Sequence, residues 1–363
     1  MPCRRKRCLA CGSGELEARR SFQDLTASPD QVKQSGTIRL TFMRKVVLLY
    51  NPLSGGRRQH RQQDVQAVLG VLQAAQIEVS ASATTSAENT GNQSRAAVAG
   101  GCDAVFACGG DGTIHDVLQG VVGSDTAIAI IPMGTANALA HDLGVPLSPA
   151  RAARAALSAD ARRFAAGRVT YQDFSGSQAA RYFSVAAGVG LDAHLFHELN
   201  RMAKEKMGML AYYAKAIHIW LTHEMQFFQA EFLVPGGETR REDVTQLLAV
   251  RIAQFGGLLR ELAPGAALSR NDMRLVLFHT SSRWRYLSYV LRGSFARKER
   301  NVPGIGLAFS ERVLCSALDS ARADAKIYVE ADGELLGTVP AELSIIPDAF
   351  SLLVPQKGTR RVC

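Results

Sequence analysis

Cys108-Gly109-Gly110-Asp111-Gly112-Thr113-Ile114 decides how this chain is read. The apolar run Ala104–Ala107 leads into it and reads as a buried strand. Ile114–Val122, with Val117, Leu118, Val121 and Val122 on one side, reads as a helix leaving it. Three glycines around one acid at such a junction let backbone N–H groups approach an anion closely, and the helix turns its positive end toward that anion. Thr113 adds a hydroxyl. Asp111 repels a bare phosphate, so its position makes sense beside Mg²⁺ or as an acid–base group. The plainer alternative is a tight turn whose exposed Asp caps a helix. The spacing is neither G-x-x-x-x-G-K-[ST] nor G-x-G-x-x-G.

The same grammar repeats on both sides. Lys45–Tyr50 reads as a strand ending in the turn Asn51-Pro52-Leu53-Ser54-Gly55-Gly56. Gln63–Ala75 carries Val65, Val68, Leu69 and Leu72 at helical spacing, Ile77–Ala83 reads as a strand and Asn92–Ala99 as a short helix. Ala127–Ile131 is a further strand, running into the turn Pro132-Met133-Gly134-Thr135-Ala136-Asn137. The helix Ala136–Leu143 follows, stopped by Gly144 and Pro146. Strands alternating with crossover helices imply a mainly parallel sheet. In such a sheet the three Gly-plus-hydroxyl turns share one edge, where α/β proteins bind ligands.

From about residue 168 the pattern changes. Val169–Tyr171, Arg181–Ala186, Phe227–Leu233, Leu247–Ile252, Met273–Phe278, Arg312–Ser316, Lys326–Glu330 and Leu352–Val354 read as strands. Two helical stretches, Lys206–Trp220 and Ser282–Ser294, interrupt them. The fold expected is an α/β N-terminal nucleotide-binding domain over 43–168, then a mainly antiparallel β-sandwich domain over 169–355 and a tail over 356–363. Residues 1–42 lack sustained periodicity and read as a dispensable extension. Met43 stands directly before the first apolar strand, which leaves open whether translation starts at Met1 or Met43.

A length of 363 residues suits about two domains, and 47% hydrophobic with 21% charged residues is a globular composition. No apolar run approaches the ~18 residues that cross a bilayer, and no apolar stretch follows Arg4-Arg5-Lys6-Arg7, so a cytoplasmic protein is expected. Of the net charge of +9, +4 falls in residues 1–42, with eight Lys/Arg against four Asp/Glu. The remaining charge is too weak for nucleic-acid binding but suits an anionic ligand or an acidic lipid surface. The cysteines are odd in number and scattered, which fits reduced thiols, and the lone Cys8-x-x-Cys11 lacks the partners of a zinc site. Ser282–Arg300 mixes Trp284, Tyr286, Leu287, Tyr289 and Leu291 with Arg and Lys. It reads either as a half-buried helix with a solvated charged face or as a basic amphipathic helix that docks on a membrane.

Asn51-Pro52-Leu53-Ser54-Gly55, Gly109-Gly110-Asp111-Gly112-Thr113 and Pro132-Met133-Gly134-Thr135-Ala136-Asn137 together resemble the signature of the diacylglycerol kinase catalytic-domain family, which includes bacterial soluble lipid kinases and the sphingosine and ceramide kinases. The likeness continues through Tyr182-Phe183-Ser184-Val185-Ala186-Ala187-Gly188-Val189-Gly190, through Lys206-Met207-Gly208 to Tyr212, and through Asp332-Gly333-Glu334. It implies an ATP-binding domain and a β-sandwich with catalysis in the cleft between them. It implies that Asn51, Pro52, Ser54 and Gly55 line the nucleotide phosphates and that Thr84 contacts the nucleotide. Gly109, Gly110, Asp111, Gly112, Thr113 and Asp116 form the main nucleotide loop and helix start. Gly134, Thr135 and Asn137 close the site. Glu334 matches the general base that takes the proton of the lipid hydroxyl, with Asp111 as its catalytic partner; taken alone, Glu334 is a hairpin residue after a strong turn signal.

The activity so implied is ATP- and Mg²⁺-dependent phosphorylation of a lipid alcohol, diacylglycerol-like first, by a cytoplasmic protein that visits the inner membrane surface in phospholipid biosynthesis. Sphingoid or ceramide-type lipids, NAD, or a non-catalytic nucleotide-binding role are the alternatives. Ala138 departs from the Asp that bacterial members carry after the Asn, and Asp142 lies about 140° further round a helix. Asn137-Ala138-Leu139-Ala140 resembles the sphingosine and ceramide kinases instead. The family's bacterial branch often holds a structural Mg²⁺ near a segment matching Leu268–Met273, where Arg270 replaces an acid, so a metal there is left open, as is oligomeric state.

Overall fold

The computed structural model describes residues 37–38, 43–55, 60–190, 225–256, 261–295, 302–318 and 326–355. The expected helix Lys206–Trp220, the matched segment ending at Tyr212, the Cys8-x-x-Cys11 pair and the tail over 356–363 lie outside these residues.

The parallel sheet is built from β2 (Lys45–Tyr50), β3 (Glu78–Ala83), β4 (Ala104–Gly109) and β5 (Ala127–Pro132), in the order β5-β4-β2-β3. Each position of β4 and β5 is buried, as continuous apolar runs covered on both faces require. The crossovers are α1 (Arg61–Ala74), α2 (Ala87–Ala99) and α3 (Asp111–Val121). Ser86 caps α2 by accepting from the Asn89 N–H at 3.2 Å, so the helix starts five residues earlier than its apolar spacing predicted. Two short helices follow, α4 (Ala138–Leu143) and α5 (Pro149–Leu157), the second opening on a proline at its first position. The alanine-rich α5 was not anticipated from the sequence; its buried face is Ala152, Ala153 and Ala156, too small to register as an apolar stripe.

The second half is antiparallel, as its turn-punctuated strands predicted. β6 (Asp160–Gln172) pairs β7 (Gln178–Phe183), and β8 (Ala186–Gly190) lies between β11 (Gln246–Val250) and β15 (Tyr328–Ala331). β9 (Phe228–Leu233), β10 (Thr239–Val244), β12 (Met273–Phe278), β13 (Ile305–Ser310) and β14 (Arg312–Ala317) complete it around the last strand, β16 (Glu334–Val354). β10 (TRREDV) and β13 were not read as strands. β10 is charged and exposed along most of its length, and its partner β9 rather than its own pattern makes it a strand.

β16 joins the two halves. Register shifts between Thr338 and Glu342 and between Ile346 and Phe350 bend it, so that its first part pairs β15 and its end pairs β6 and, in parallel, β5 at Ser351 and Leu352. Phe350, Leu352 and Leu353 accordingly pack in the core of the α/β half, while Leu336 and Leu343 pack in the core of the sandwich. β6 runs unbroken through residues 168 and 169 and also feeds both cores. Within the segment read as a disordered or dispensable extension, β1 (Thr37–Ile38) pairs Arg162 and Ala161 of β6. A third core forms where α6 (Arg283–Phe295) lays Tyr286 and Tyr289 against Phe278, with ring centroids 4.9 and 5.6 Å away.

Candidate active site

The three turns predicted to converge do so at the carboxyl ends of β2, β4 and β5. Asn51 N–H donates to the Cys108 carbonyl at 3.1 Å, and Met133 N–H donates to the Gly109 carbonyl at 2.7 Å. The glycines are there because a Cβ would have no room: Gly134 and Gly55 meet backbone, and Gly109 meets the Thr113 side chain. A Cβ on Gly134 would stand 2.4 Å from Gly110 Cα, one on Gly55 would stand 2.4 Å from the Met133 carbonyl oxygen, and one on Gly109 would stand 2.1 Å from Thr113 Oγ1. Gly55 also needs the positive φ of 66° that glycine adopts freely. Asn51 Oδ1 accepts from the Leu53 N–H at 2.9 Å, and Asn137 exchanges two bonds with the Gly134 backbone at 2.9 and 3.0 Å. Thr84 is buried at the end of β3 with its N–H on the Tyr50 carbonyl, whereas Pro52 and Thr135 are exposed. Arg61, which no sequence pattern marked, is buried; its Nη2 donates to the carbonyls of Ser54 and Met133, the latter at 3.0 Å, and so ties two turns together.

Asp111 is not the exposed cap of its own helix. Its Oδ2 accepts from Ala138 N–H at 3.0 Å and its Oδ1 from Leu139 N–H at 3.2 Å, so it caps α4 across the site. Burial pushes its carboxyl up, and these two bonds only partly offset that. The N-cap of α3 is Gly110, which has no side chain to close the helix end, so the first turn faces the loop that the glycines keep open. Asp142 is engaged elsewhere: its Oδ1 accepts from Ala253 N–H at 3.0 Å and Gln254 N–H at 2.9 Å, in keeping with its direction on the helix.

The opposite wall comes from the sandwich. Asp332 and Gly333, with φ of 48° and 85°, make the two-residue turn between β15 and β16 that their sequence signalled. That turn aims Glu334 at α3: its Oε1 lies 3.9 Å from where a Cβ on Gly112 would be, and its Oε2 lies 3.9 Å from His115 Nε2. Asp332 is fully enclosed. It accepts from the N–H groups of Ser184, Val185 and Ala186 at 2.9, 2.9 and 3.0 Å, and its Oδ2 lies 3.2 Å from His115 Nδ1. Burial pushes the Asp332 carboxyl up, but His115 and the backbone donors outweigh it and hold the group below the usual carboxylate range. Burial pushes His115 down, but Asp332, helped by Glu334 and Asp116, outweighs it and holds the imidazole above its ordinary value. Asp116 is pushed up to about 7, first by burial and then by Glu334, against His115 and Arg181. Its Oδ1 is buried without a hydrogen-bond partner. Gln119, one turn further on, exchanges two bonds with the Tyr182 backbone at 2.9 and 3.0 Å, so α3 is fastened to the sandwich at two points.

His115 and Gln119 went unread, although both follow Asp111 at steps of four along α3 and therefore share its face. Arg181 and Tyr171, which interact with each other and act electrostatically on this cluster, had no local signal at all.

Asp111 has oxygen sites left over to face a phosphate-bound Mg²⁺. Among the described residues no three His, Cys, Asp or Glu side chains gather as a metal cluster. Mg²⁺ is commonly held by one or two carboxylates plus substrate phosphates, and Asp111 keeps about half of a carboxylate's roughly four lone-pair sites after bonding α4. The structural Mg²⁺ left open near Leu268–Met273 finds its backbone oxygens already engaged. The Leu268, Arg270 and Asp272 carbonyls, with that of Ala165, all accept from the buried Arg251 guanidinium at 2.7 to 3.2 Å. A cation among them would meet a positive charge already in place.

Residues 45–169 match the diacylglycerol kinase catalytic domain model, and residues 184–354 match the YegS C-terminal NAD kinase beta sandwich-like domain model. A diacylglycerol kinase of Mycobacterium tuberculosis is 27% identical over 340 residues, covering 89% of this chain and 99% of that relative. One of Bacillus subtilis is 25% identical over 326 residues, covering 88% and 99%. The crystal structure of a diacylglycerol kinase from Bacillus anthracis str. Sterne superposes with a TM-score of 0.62 at 16% identity, covering 86% of this chain and 97% of that one, a likeness of fold.

Proposed function

We propose, starting from the fact that the chain belongs to the diacylglycerol kinase catalytic-domain family, that it transfers the γ-phosphoryl group of ATP to the hydroxyl of a lipid alcohol, diacylglycerol-like first. The observation that supports this reading is the approach of Glu334, carried by the sandwich, to Gly112 of the glycine loop, carried by the α/β half. In our reading the N–H groups of the loop and of α3 receive the nucleotide phosphates, beside Asn51, Pro52, Ser54 and Gly55. Thr84 contacts the nucleotide, and Gly134, Thr135 and Asn137 close the site. The 45–169 half is the nucleotide side and the 184–354 half the lipid side. Mg²⁺ bound to the phosphates would neutralise their charge, with Asp111 as its protein neighbour.

Glu334 accepts the proton of the lipid hydroxyl. The hydroxyl oxygen forms a new bond to the γ-phosphorus, the bond from that phosphorus to the ADP bridging oxygen breaks, and ADP leaves with the electron pair. The lipid sits in a bilayer, and α6 supports contact there: Trp284 and Leu291 are 76% and 46% exposed, with Arg285 and Arg292 exposed on the same face. No helix among the described residues is long and apolar enough to cross a membrane.

The test is the purified protein with labelled ATP and Mg²⁺, given diacylglycerol, a sphingoid base, ceramide, or NAD. Transfer to diacylglycerol, reduced ~10²–10⁴-fold in Glu334→Gln with ATP binding retained, is the expected result. Transfer to NAD without lipid, or no transfer to any acceptor, would overturn it.

A further inference from the structure

His115 is a buried polar group that the phosphoryl-transfer reading leaves unused. It lies wholly inside, one turn into α3, between two carboxylates from the sandwich. Its Nδ1 is engaged by Asp332 at 3.2 Å, and its Nε2 is buried with no hydrogen-bond partner, 3.9 Å from Glu334 Oε2. A buried ring N–H without an acceptor costs on the order of 1–3 kcal/mol unless something nearby compensates. The charged groups facing the ring are Asp332 from the β15–β16 turn, Glu334 from β16 and Asp116 from α3 itself, while Arg181 of β7 faces Asp116.

We infer that His115 is a positioning residue for the reaction: anchored by Asp332, its imidazolium holds the Glu334 carboxylate toward the glycine loop through Nε2. The inference rests on Glu334 being the proton acceptor. Asp332 fixes the ring because its own carboxylate is locked by three backbone donors, so the ring cannot turn away without giving up its contact with Asp332. A 3.9 Å separation closes to a hydrogen bond with a small rotation of the half-exposed Glu334 side chain, whereas the ring and Asp332 are fixed by packing. The arrangement thus couples Glu334 to the helix that opens at the phosphate loop.

His115→Asn separates this role from a purely structural one. The Asn amide reaches the Nδ1 position and keeps a donor for Asp332, but it has nothing at the Nε2 position. The expected result is a melting temperature close to wild type, an unchanged KM for Mg-ATP and a kcat lower by at least ~10-fold. His115→Gln, which restores a donor near the Nε2 position, should regain part of kcat. Wild-type kcat in His115→Asn would overturn the inference and leave the ring a fold staple.

A second measurement does not depend on turnover. Imidazole ¹⁵N resonances followed by NMR should show His115 titrating at lower pH in Glu334→Gln than in wild type. An unmoved titration would overturn the inference even if the protein proved to have another acceptor. A shifted titration in a protein that phosphorylates no lipid would leave the contact standing and remove the kinase reading.

Discussion

Replacing Arg251 by methionine removes a guanidinium and leaves its four acceptors in place. The side chain is wholly buried; Nη1 donates to the Arg270 and Asp272 carbonyls, both at 2.9 Å, and Nη2 to those of Ala165 and Leu268 at 2.7 and 3.2 Å. Burial lowers its pKa to about 10, with Asp272 opposing, so at neutral pH the group is still protonated and both Nη groups donate. A hydrogen bond to a charged group contributes about 1.5–3 kcal/mol, and four of them would overstate the total because taking the charge out of water costs several kcal/mol. What survives that offset is the penalty of orphaning buried carbonyls, so the loss expected for Arg251→Met is about 3–5 kcal/mol. At ~2–4 °C per kcal/mol this is a fall of roughly 6–20 °C in Tm.

The assay is thermal or urea unfolding of the full chain with and without EDTA. Arg251→Lys retains the charge and three donors, so it should lose less than methionine does. Chelation should leave the wild type unmoved, since the guanidinium already satisfies the carbonyls of Leu268, Arg270 and Asp272. Methionine within ~1 kcal/mol of wild type, or a wild-type Tm that falls in EDTA and recovers in Mg²⁺, would refute the reasoning.

Gly134→Ala forces a Cβ to within 2.4 Å of Gly110 Cα, a clash of backbone that no side chain can relieve; we expect about 1–3 kcal/mol of destabilisation and at least tenfold weaker Mg-ATP binding by calorimetry. Gly112→Ala is the contrast, because nothing stands nearer to its Cβ than 3.9 Å; it should keep wild-type stability while crowding Glu334. Asp116 binds its proton more tightly in the folded chain, up to about 7, than in the unfolded chain, so its contribution to wild-type stability falls as pH rises from ~4 through that value. Asp116→Asn cannot titrate, so its Tm should gain on the wild type across that window and run parallel above it; a difference constant with pH would dispose of the claim.

The α/β half was legible because its signals are local. Each strand of β2, β4 and β5 is a short apolar run, each ends in a turn of glycine and hydroxyl residues, and each turn shows its purpose within six or seven residues. The sandwich was legible in kind but less so in extent. β16 is 21 residues long, yet only its last three were read as a strand, since its register shifts and half-exposed middle break the alternation that marks a strand. α5 escaped because alanine packs without announcing a face.

For the site the limit is of another kind. Asp111 and Glu334 were named from their motifs, but what each touches depends on partners that no window of sequence contains. Asp111 closes on α4, 27 and 28 residues away, where the N-cap Asn137 is turned to Gly134 and leaves the first N–H groups of the helix uncapped. His115 meets Asp332 across 217 residues, and Arg251 meets Ala165 across 86. In each case a charged group is brought inside only where the fold has already gathered its acceptors or donors, since an unpartnered charge would not stay buried. The chemistry of such groups follows from that assembly. Glu334, the proton acceptor of our proposal, is held by a turn of the sandwich and the glycine loop by the sheet, and His115, 3.9 Å from Glu334, belongs to the helix that leaves that loop.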